Sequence, residues 1–418
     1  MALSDTKPIN YQLTKLALIA FYASATYAVL LWSPNVLGHY LSSTVITIIL
    51  LLPWVMLWPI KGMEIIKNEE HRTEIILLIV IIILGIINII FSDNPHKTYN
   101  AMKMFLLSGI MALWISMFLL TDPRATKIFD WFCCICLAII APTEILASIA
   151  RGDYKNELIN IFVLNPIPLG TLILLLSPGP ARLLASAKKW PVIIAWVLTG
   201  LGFSLILLTE KRGTFLAIIA MGLAWLLLKR TRLSLVLAAF LIFIALIVPF
   251  KNLNSYKSLD QNIPSHFNIL YRLEMYPFAL HVYLKHPVFG IGLRPYTHEN
   301  YLSDYQDHLH LKLFSQTVKE LQTFDNMLLT SFVELGTLMT LAYLSLITLI
   351  IVKYCRKLRP VAQSSPVDLY RLLVLVGFAV HSMTYDSLLF PSVNWLFHVQ
   401  IGILAGFSPK TGSRPGNT

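Results

Sequence analysis

Charge is what this sequence has least of. Only 13% of its 418 residues are Asp, Glu, Lys or Arg, where a soluble domain carries about 25%. That leaves too few charges to wet a globular surface, and it excludes an ordinary soluble enzyme. Alternating strand patterns of about ten residues are missing, which excludes a transmembrane β-barrel. Cysteine is scarce as well: Cys133, Cys134, Cys136 and Cys355 are all there are. Their spacing fits no zinc pattern, and three share one apolar run, where they read as hydrophobes. Basic stripes interleaved with aromatics are lacking, so the net charge of +11 does not point to nucleic acid. No internal repeat, low-complexity tract or soluble domain is visible. The first apolar run has no small-residue cleavage site and reads as a retained helix.

What the sequence does have is apolar length, with 56% hydrophobic residues and a mean hydropathy of +0.68. Runs of about 18–20 residues recur from end to end, each long enough to cross a bilayer as a helix. Lipid offers no partner to a bare backbone group, so a spanning segment must satisfy its own. Spans are predicted at residues 16–33, 41–59, 74–92, 103–120, 127–149, 158–177, 190–209, 213–228, 233–250, 327–352, 369–387 and 392–408. The expected fold class is all-α, a polytopic membrane protein of about 12 transmembrane helices with one large extracytoplasmic loop. Its expected divisions are helices one to nine in 1–250, a loop with short helices in 251–326, helices ten to twelve in 327–408, and a disordered tail in 409–418. Pro166 and Pro168 interrupt the sixth span.

Orientation follows from the loops. Lys61, Lys67 and Arg72 share one set with Arg124 and Lys127, with Arg182, Lys188 and Lys189, with Lys229, Arg230 and Arg232, and with Lys353, Arg356, Lys357, Arg359 and Arg371. The alternate loops Ser33–Tyr40 and Asp386–Asn394 have no Lys or Arg. Positive loops stay in the cytoplasm, so both termini are expected there and the 251–326 segment faces outward. Within that segment Ile269–Tyr283 and His308–Leu321 read as amphipathic helices. A loop this long is usually functional.

Three constellations at the outward boundary carry chemistry. Glu210-Lys211-Arg212-Gly213 sits in a short turn between two apolar runs; ionisable groups pinned there are usually functional, with a snorkelling anchor as the alternative. Arg272 and Glu274 precede His286-Pro287-Val288-Phe289-Gly290-Ile291-Gly292-Leu293-Arg294, in which two glycines permit a tight bend. The planar donor fork of arginine suits phosphate oxygens. Asp325-Asn326 then precedes the tenth span, with Glu334-Leu335-Gly336 about two turns inside it. Asp325 or Asn326 could equally be a helix cap. His286, His298, His308 and His310 crowd the loop; two residues apart on a helix, the last pair does not face one side, so solvated histidines are expected rather than a metal pair.

The order of these features resembles the O-antigen ligase and Wzy-type polymerase superfamily: Lys211-Arg212-Gly213 opening a span, Arg272 ahead of Phe278-Ala279-Leu280, the His286-Pro287-x-Phe289-Gly290-x-Gly292 run, then Asp325-Asn326-x-x-Leu329 and Glu334-x-Gly336. The resemblance covers most of the second half of the chain. It implies a GT-C-like, metal-independent glycosyltransferase with no cofactor. Such an enzyme, in the bacterial inner membrane, moves a glycan from undecaprenyl pyrophosphate to lipid A-core or another glycan or protein acceptor on the periplasmic side. By the same resemblance Arg212 and Arg272 hold the donor pyrophosphate, with Arg294 a further match, while Asn326, Glu334, His298 and Lys211 are substrate-binding candidates. The chain departs from the ligases at one position, where Asp325 stands in place of the histidine proposed as base. A carboxylate can take a proton from a sugar hydroxyl, although its ordinary pKa near 3.9 makes it a weaker base; His298, His308 or His310 could serve instead. Polymerase and oligosaccharyltransferase readings share this scaffold. A secondary transporter is the rival of another class, with Glu144, Glu334, His381 and Asp386 as buried ionisable candidates, but it should show two pseudo-symmetric halves.

Overall fold

The computed structural model describes residues 6–31, 45, 47–56, 69–150, 166–209, 212–229, 267–295, 301, 305, 324, 326–357 and 366–406, with the backbone alone for 6–13, 70, 150, 166, 212, 229, 267–274 and 357. Among these residues the protein is helical, with no strand. The helices are α1 (Thr6–Thr26, continued by a π turn at Tyr27–Leu31), α2 (Thr47–Met56), α3 (Arg72–Ile90), α4 (Pro95–Leu119, with a π turn at Leu106–Ile110) and α5 (Pro123–Ala150). They continue as α6 (Pro166–Leu176), α7 (Pro178–Leu184), α8 (Lys189–Thr209), α9 (Arg212–Lys229), α10 (Phe267–Lys285), α11 (Met327–Lys357), α12 (Pro366–Ser382) and α13 (Pro391–Gly406).

Among the described residues seven segments are long and apolar enough to cross a membrane, and Thr47–Met56 and Gly213–Leu228 are shorter apolar helices. Large apolar side chains face outward along them, as Ile76, Ile79, Ile83, Ile86 and Ile90 do on α3. A helix with a bare apolar stripe facing solvent would be an error in water and is the expected lipid face in a membrane. The predicted span 233–250 and the predicted loop helix at His308–Leu321 lie outside the described residues.

Several boundaries differ from the sequence reading, each for a local reason. Pro166 and Pro168 fall in the first turn of α6 as described, where a missing N–H costs little, and residues 158–165 of the predicted sixth span lie outside the described residues. α4 starts at Pro95, eight residues before the predicted 103, because Asn94 accepts a hydrogen bond from the Lys97 amide and so caps it. α12 ends at Ser382 rather than 387. The chain turns there, with the Thr384 hydroxyl donating to the His381 carbonyl and the Asp386 carboxylate accepting from Leu388 to cap a short 3-10 turn, Ser387–Leu389.

α13 is the axle of the fold. Every residue from Ser392 to Gly406 is buried, and α4, α6, α11, α12 and the end of α1 pack around it. The helix is mostly apolar, and its buried Asn394, His398 and Gln400 each make a hydrogen bond within the bundle. Its small residues let α4 approach closely: a Cβ on Gly402 would collide with the Ser116 hydroxyl, and one on Gly406 would lie 2.5 Å from the Met117 carbonyl. At the end where the basic loops gather, Arg371 of α12 is fully buried. It donates to Asp130 of α5, to Asp368 (2.7 Å) and to Gln400 of α13 (3.0 Å), and Arg182 of α7 also reaches Asp130 (2.6 Å). Lys353 of α11 pairs with Glu74 of α3 at 2.7 Å. These charges are compensated locally, as burial requires.

Candidate active site

The other end of the bundle holds the bend 286–294. Its placement begins with a break in α11: Gly336 sits at φ 73 and ψ 174 inside an otherwise continuous helix. The break frees carbonyls and amides that the helix would have used, and the bend takes them up. Ile291 and Gly292 donate to the carbonyls of Val333 and Glu334 (3.1 and 3.0 Å), while Thr337 donates to the carbonyl of Pro287 (2.9 Å). Two irregular segments thus satisfy each other, which is how non-helical backbone survives inside a membrane protein. Gly290, Gly292 and Gly336 all have positive φ. A Cβ at Gly290 would run into the Glu334 carbonyl, and one at Gly336 into the Val288 carbonyl. The glycines of the Phe-Gly-Ile-Gly and Glu-Leu-Gly stretches are therefore two halves of one joint.

α3 locks this joint. The Asn88 side-chain amide donates to the carbonyls of Phe289 (2.6 Å) and Glu334 (2.8 Å), and its oxygen accepts from the Leu293 amide (3.2 Å). The Ser92 hydroxyl donates to the Ile291 carbonyl (3.1 Å), the Asp93 amide donates to the same carbonyl (3.0 Å), and Phe91 stacks on Phe289 with centroids 5.0 Å apart. Tyr301 donates to Asp93 (2.6 Å) and lies 3.0 Å from His286 Nε2. Burial first, and then the Asp93 carboxylate, push the Tyr301 phenol above its ordinary pKa, so it serves as a fixed donor.

The joint delivers Arg294. This residue has φ 50, a sparsely populated conformation without glycine, and its amide is held by Glu334 Oε2 at 2.9 Å. Strain of this kind persists only where the surroundings impose it. Arg294 lines a cavity of about 40 Å³ with Ser108, Thr330, Tyr343, Asp386 and Asn394, room for about one or two water-sized groups. Burial pushes the Asp386 carboxyl up to about 7, with Arg294 pulling it down and Glu334 pushing it up. The cavity therefore holds a cation, a poised carboxyl and several hydroxyl and amide groups at the ends of α4, α11, α12 and α13.

The structure brings some expected site residues together and is silent on others. Arg294 and Glu334 are adjacent. Asn326 caps α11, its oxygen accepting from Leu328 (2.9 Å) and Leu329 (3.1 Å) and its amide reaching Tyr276 of α10 (3.3 Å). Arg212 is the first residue of α9, and the next, Gly213, packs so tightly on the α12–α13 turn that a Cβ would lie 2.5 Å from the Thr384 hydroxyl. The Arg212 backbone thus stands at the same end of the bundle as Asp386. Arg272 lies on α10 one turn before Tyr276, which puts its backbone near the head of α11. α10 is held there by an apolar cluster of Met275, Phe278, Val282, Ile291, Phe324 and Val333. The side chains of Arg212 and Arg272 lie outside the described residues, as do Lys211, His298, His308, His310 and Asp325.

Two contributors escaped the sequence reading in this role. Asn88 is a lone amide in an isoleucine-rich span, and that polar interruption was its only signal. Asp386 was visible only as a buried ionisable candidate, because its neighbours Arg294 and Glu334 come from distant segments.

Residues 197–344 match the family model of the O-antigen ligase. The matched segment runs from α8 through the joint into α11, and contains Arg212, Arg272, Arg294, Asp325, Asn326 and Glu334. No curated protein matches the chain.

Proposed function

We propose that the protein transfers a glycan from an undecaprenyl-pyrophosphate carrier to an acceptor hydroxyl at the outer face of the bacterial inner membrane, as an O-antigen ligase does. The observation that carries this reading is the order of polar groups inside the matched segment 197–344. Arg212 at the head of α9, Arg272 within α10 and the glycine joint lie toward one end of an apolar bundle, where a polyprenyl tail stays in lipid while its pyrophosphate meets polar groups.

In the reaction the acceptor oxygen forms a bond to the anomeric carbon, and the bond from that carbon to the pyrophosphate oxygen breaks. The leaving oxygen keeps the electron pair. Arg212 and Arg272 stabilise the charge that develops there, as fixed cations in a water-poor site do without reorganising. Arg294, held by Glu334, supplies a third cation at the cavity. Asp325 takes the acceptor proton. Lys211 and His298 contact the substrates, and Asn326 holds the head of α11 beside the base. The acceptor is lipid A-core or another glycan or protein, and no metal takes part.

Deletion of the gene in its host tests this. A ligase leaves free core and accumulates full-length glycan on undecaprenyl pyrophosphate; a polymerase leaves core bearing one repeat unit. Unchanged polyprenyl-linked and surface glycans overturn the proposal.

A further inference from the structure

A second cavity lies away from the joint. It measures about 410 Å³, and Leu137, Ile173, Leu184, Phe203, Ile218 and Tyr370 are among its walls. Among the described residues no charged side chain lines it. Its polar wall is satisfied internally, the Tyr370 hydroxyl donating to Ser177 at 3.1 Å and Ser177 to the Leu174 carbonyl at 2.6 Å. The cavity has a structural origin: α8 packs on α5, α6 and α7, whereas α9 packs chiefly on α12, and the space lies between the two groups. Its rim reaches the outer surface, since Leu184 is 38% and Phe203 49% exposed.

Protein interiors are close-packed, and an unfilled apolar space forfeits dispersion contacts on every wall. A dry apolar cavity of about 150 Å³ already takes benzene. One more than twice that size, open sideways toward hydrocarbon, suits an alkyl chain. The neighbouring loop between α7 and α8 supplies a headgroup site. Lys188, Lys189 and Trp190 are exposed there, and Arg182 sits beside the cavity-lining Ala181. Basic pockets between helices bind anionic lipid headgroups, and an exposed Trp marks the interface.

We propose that this cavity holds one acyl chain of an anionic phospholipid whose phosphate is bound by Lys188 and Lys189, wedging the α5–α8 group against α9 and α12. The glycan carrier is not the occupant. Its pyrophosphate belongs at the joint, and α8, 21 residues and roughly 30 Å long, separates the α7–α8 loop from that end. In the topology read from the loops the site faces the cytoplasmic leaflet. The inference stands whether or not the transfer reaction is confirmed.

Native mass spectrometry of the full chain, stripped of lipid and then offered phosphatidylglycerol, phosphatidylcholine or undecaprenyl phosphate, tests it. Phosphatidylglycerol should be retained at one per chain, about tenfold over phosphatidylcholine. Lys188→Gln with Lys189→Gln should erase that tenfold preference. Thr199→Phe, which fills the cavity from an exposed position on α8, should cut retention tenfold and raise the melting temperature of the lipid-free protein. Equal retention of the two phospholipids, undiminished binding by Thr199→Phe, or preferential retention of undecaprenyl phosphate would each overturn the proposal.

Discussion

Gly290 and Gly336 are packed backbone to backbone, and neither has room for a side chain: a Cβ on Gly290 would lie 2.6 Å from the Gly336 nitrogen, and one on Gly336 2.5 Å from the Gly290 nitrogen. Both have positive φ. Either glycine replaced by alanine pays a backbone penalty of about 1–2 kcal/mol as well as the collision. Gly290→Ala and Gly336→Ala should each destabilise the protein by more than about 2 kcal/mol and abolish transfer, read by thermal melting and by glycan gels. Gly200→Ala is the control. Among the described residues nothing lies within 4 Å of a Cβ at that position, and in a helix the change should cost nothing or add up to about 1 kcal/mol.

Asn88 is the next test of the joint. Its three hydrogen bonds reach Phe289, Glu334 and Leu293. Asn88→Ala takes one partner from each of these backbone groups, the Glu334 carbonyl keeping the Gly292 amide, at about 2–3 kcal/mol. Asn88→Asp should be worse, because an oxygen would then face two carbonyls. Melting temperatures should fall in the order wild type, Ala, Asp; an unchanged Ala variant would mean that α3 is not what holds the bend.

The spans with unbroken apolar runs were legible because hydropathy alone decides them, as in α3 and α8. The joint was legible only as two separate glycine motifs. Nothing local says that Gly336 breaks a helix so that Ile291 and Gly292 can bond to it, since the pairing spans more than 40 residues of chain. Asp386 illustrates the same limit. Its sequence neighbours make it a turn residue, whereas its chemistry is set by burial and by Arg294 and Glu334. The basic end was read as loop charge, but Arg371 proves to be fully buried and paired, a distinction that depends on which helices α12 meets.

Asp386 predicts a pH dependence. A carboxyl raised from 3.8 to about 7 is harder to ionise in the folded protein than in the unfolded chain. Its contribution to stability is therefore fully present below the unfolded value and is lost as pH rises toward 7. Above that, three units amount to about 4 kcal/mol. Asp386→Asn should thus stabilise the protein at pH 8.5, as an order of magnitude by about that much, and change little near pH 4. Melting curves across that range check it. Equal stabilisation at both ends would show that ionisation is not the cause.

At the opposite end, Arg371→Met takes from Asp368 its arginine and from Asp130 one of two, Arg182 being the other, while both carboxylates remain in place. Breaking a buried pair in this way costs about 3–5 kcal/mol. Combining it with Asp368→Asn should recover much of the loss, because Asp130 keeps Arg182 as its partner and no unpaired carboxylate is then left behind. Transfer by the folded fraction should be unaffected in all of these variants, since the network lies at the other end of the bundle from the joint.

The base is the sharpest test of the proposed chemistry. Asp325 precedes Asn326, whose side chain is already engaged in capping α11. A cap needs only an acceptor oxygen, whereas a base needs a group that gains a proton. Asp325→Asn keeps shape and hydrogen-bonding capacity but removes basicity, so it should fold normally and lose transfer by a factor on the order of 100–10,000. Asp325→His should restore part of the activity, with a rate that rises through the ordinary histidine range near pH 6.5. Arg212→Ala and Arg272→Ala should lose transfer regardless of pH. Each variant can be scored by surface-glycan gels against its level in the membrane. Full activity in Asp325→Asn would remove this residue from the chemistry and move the search for the base to His298, His308, His310 and Asp386.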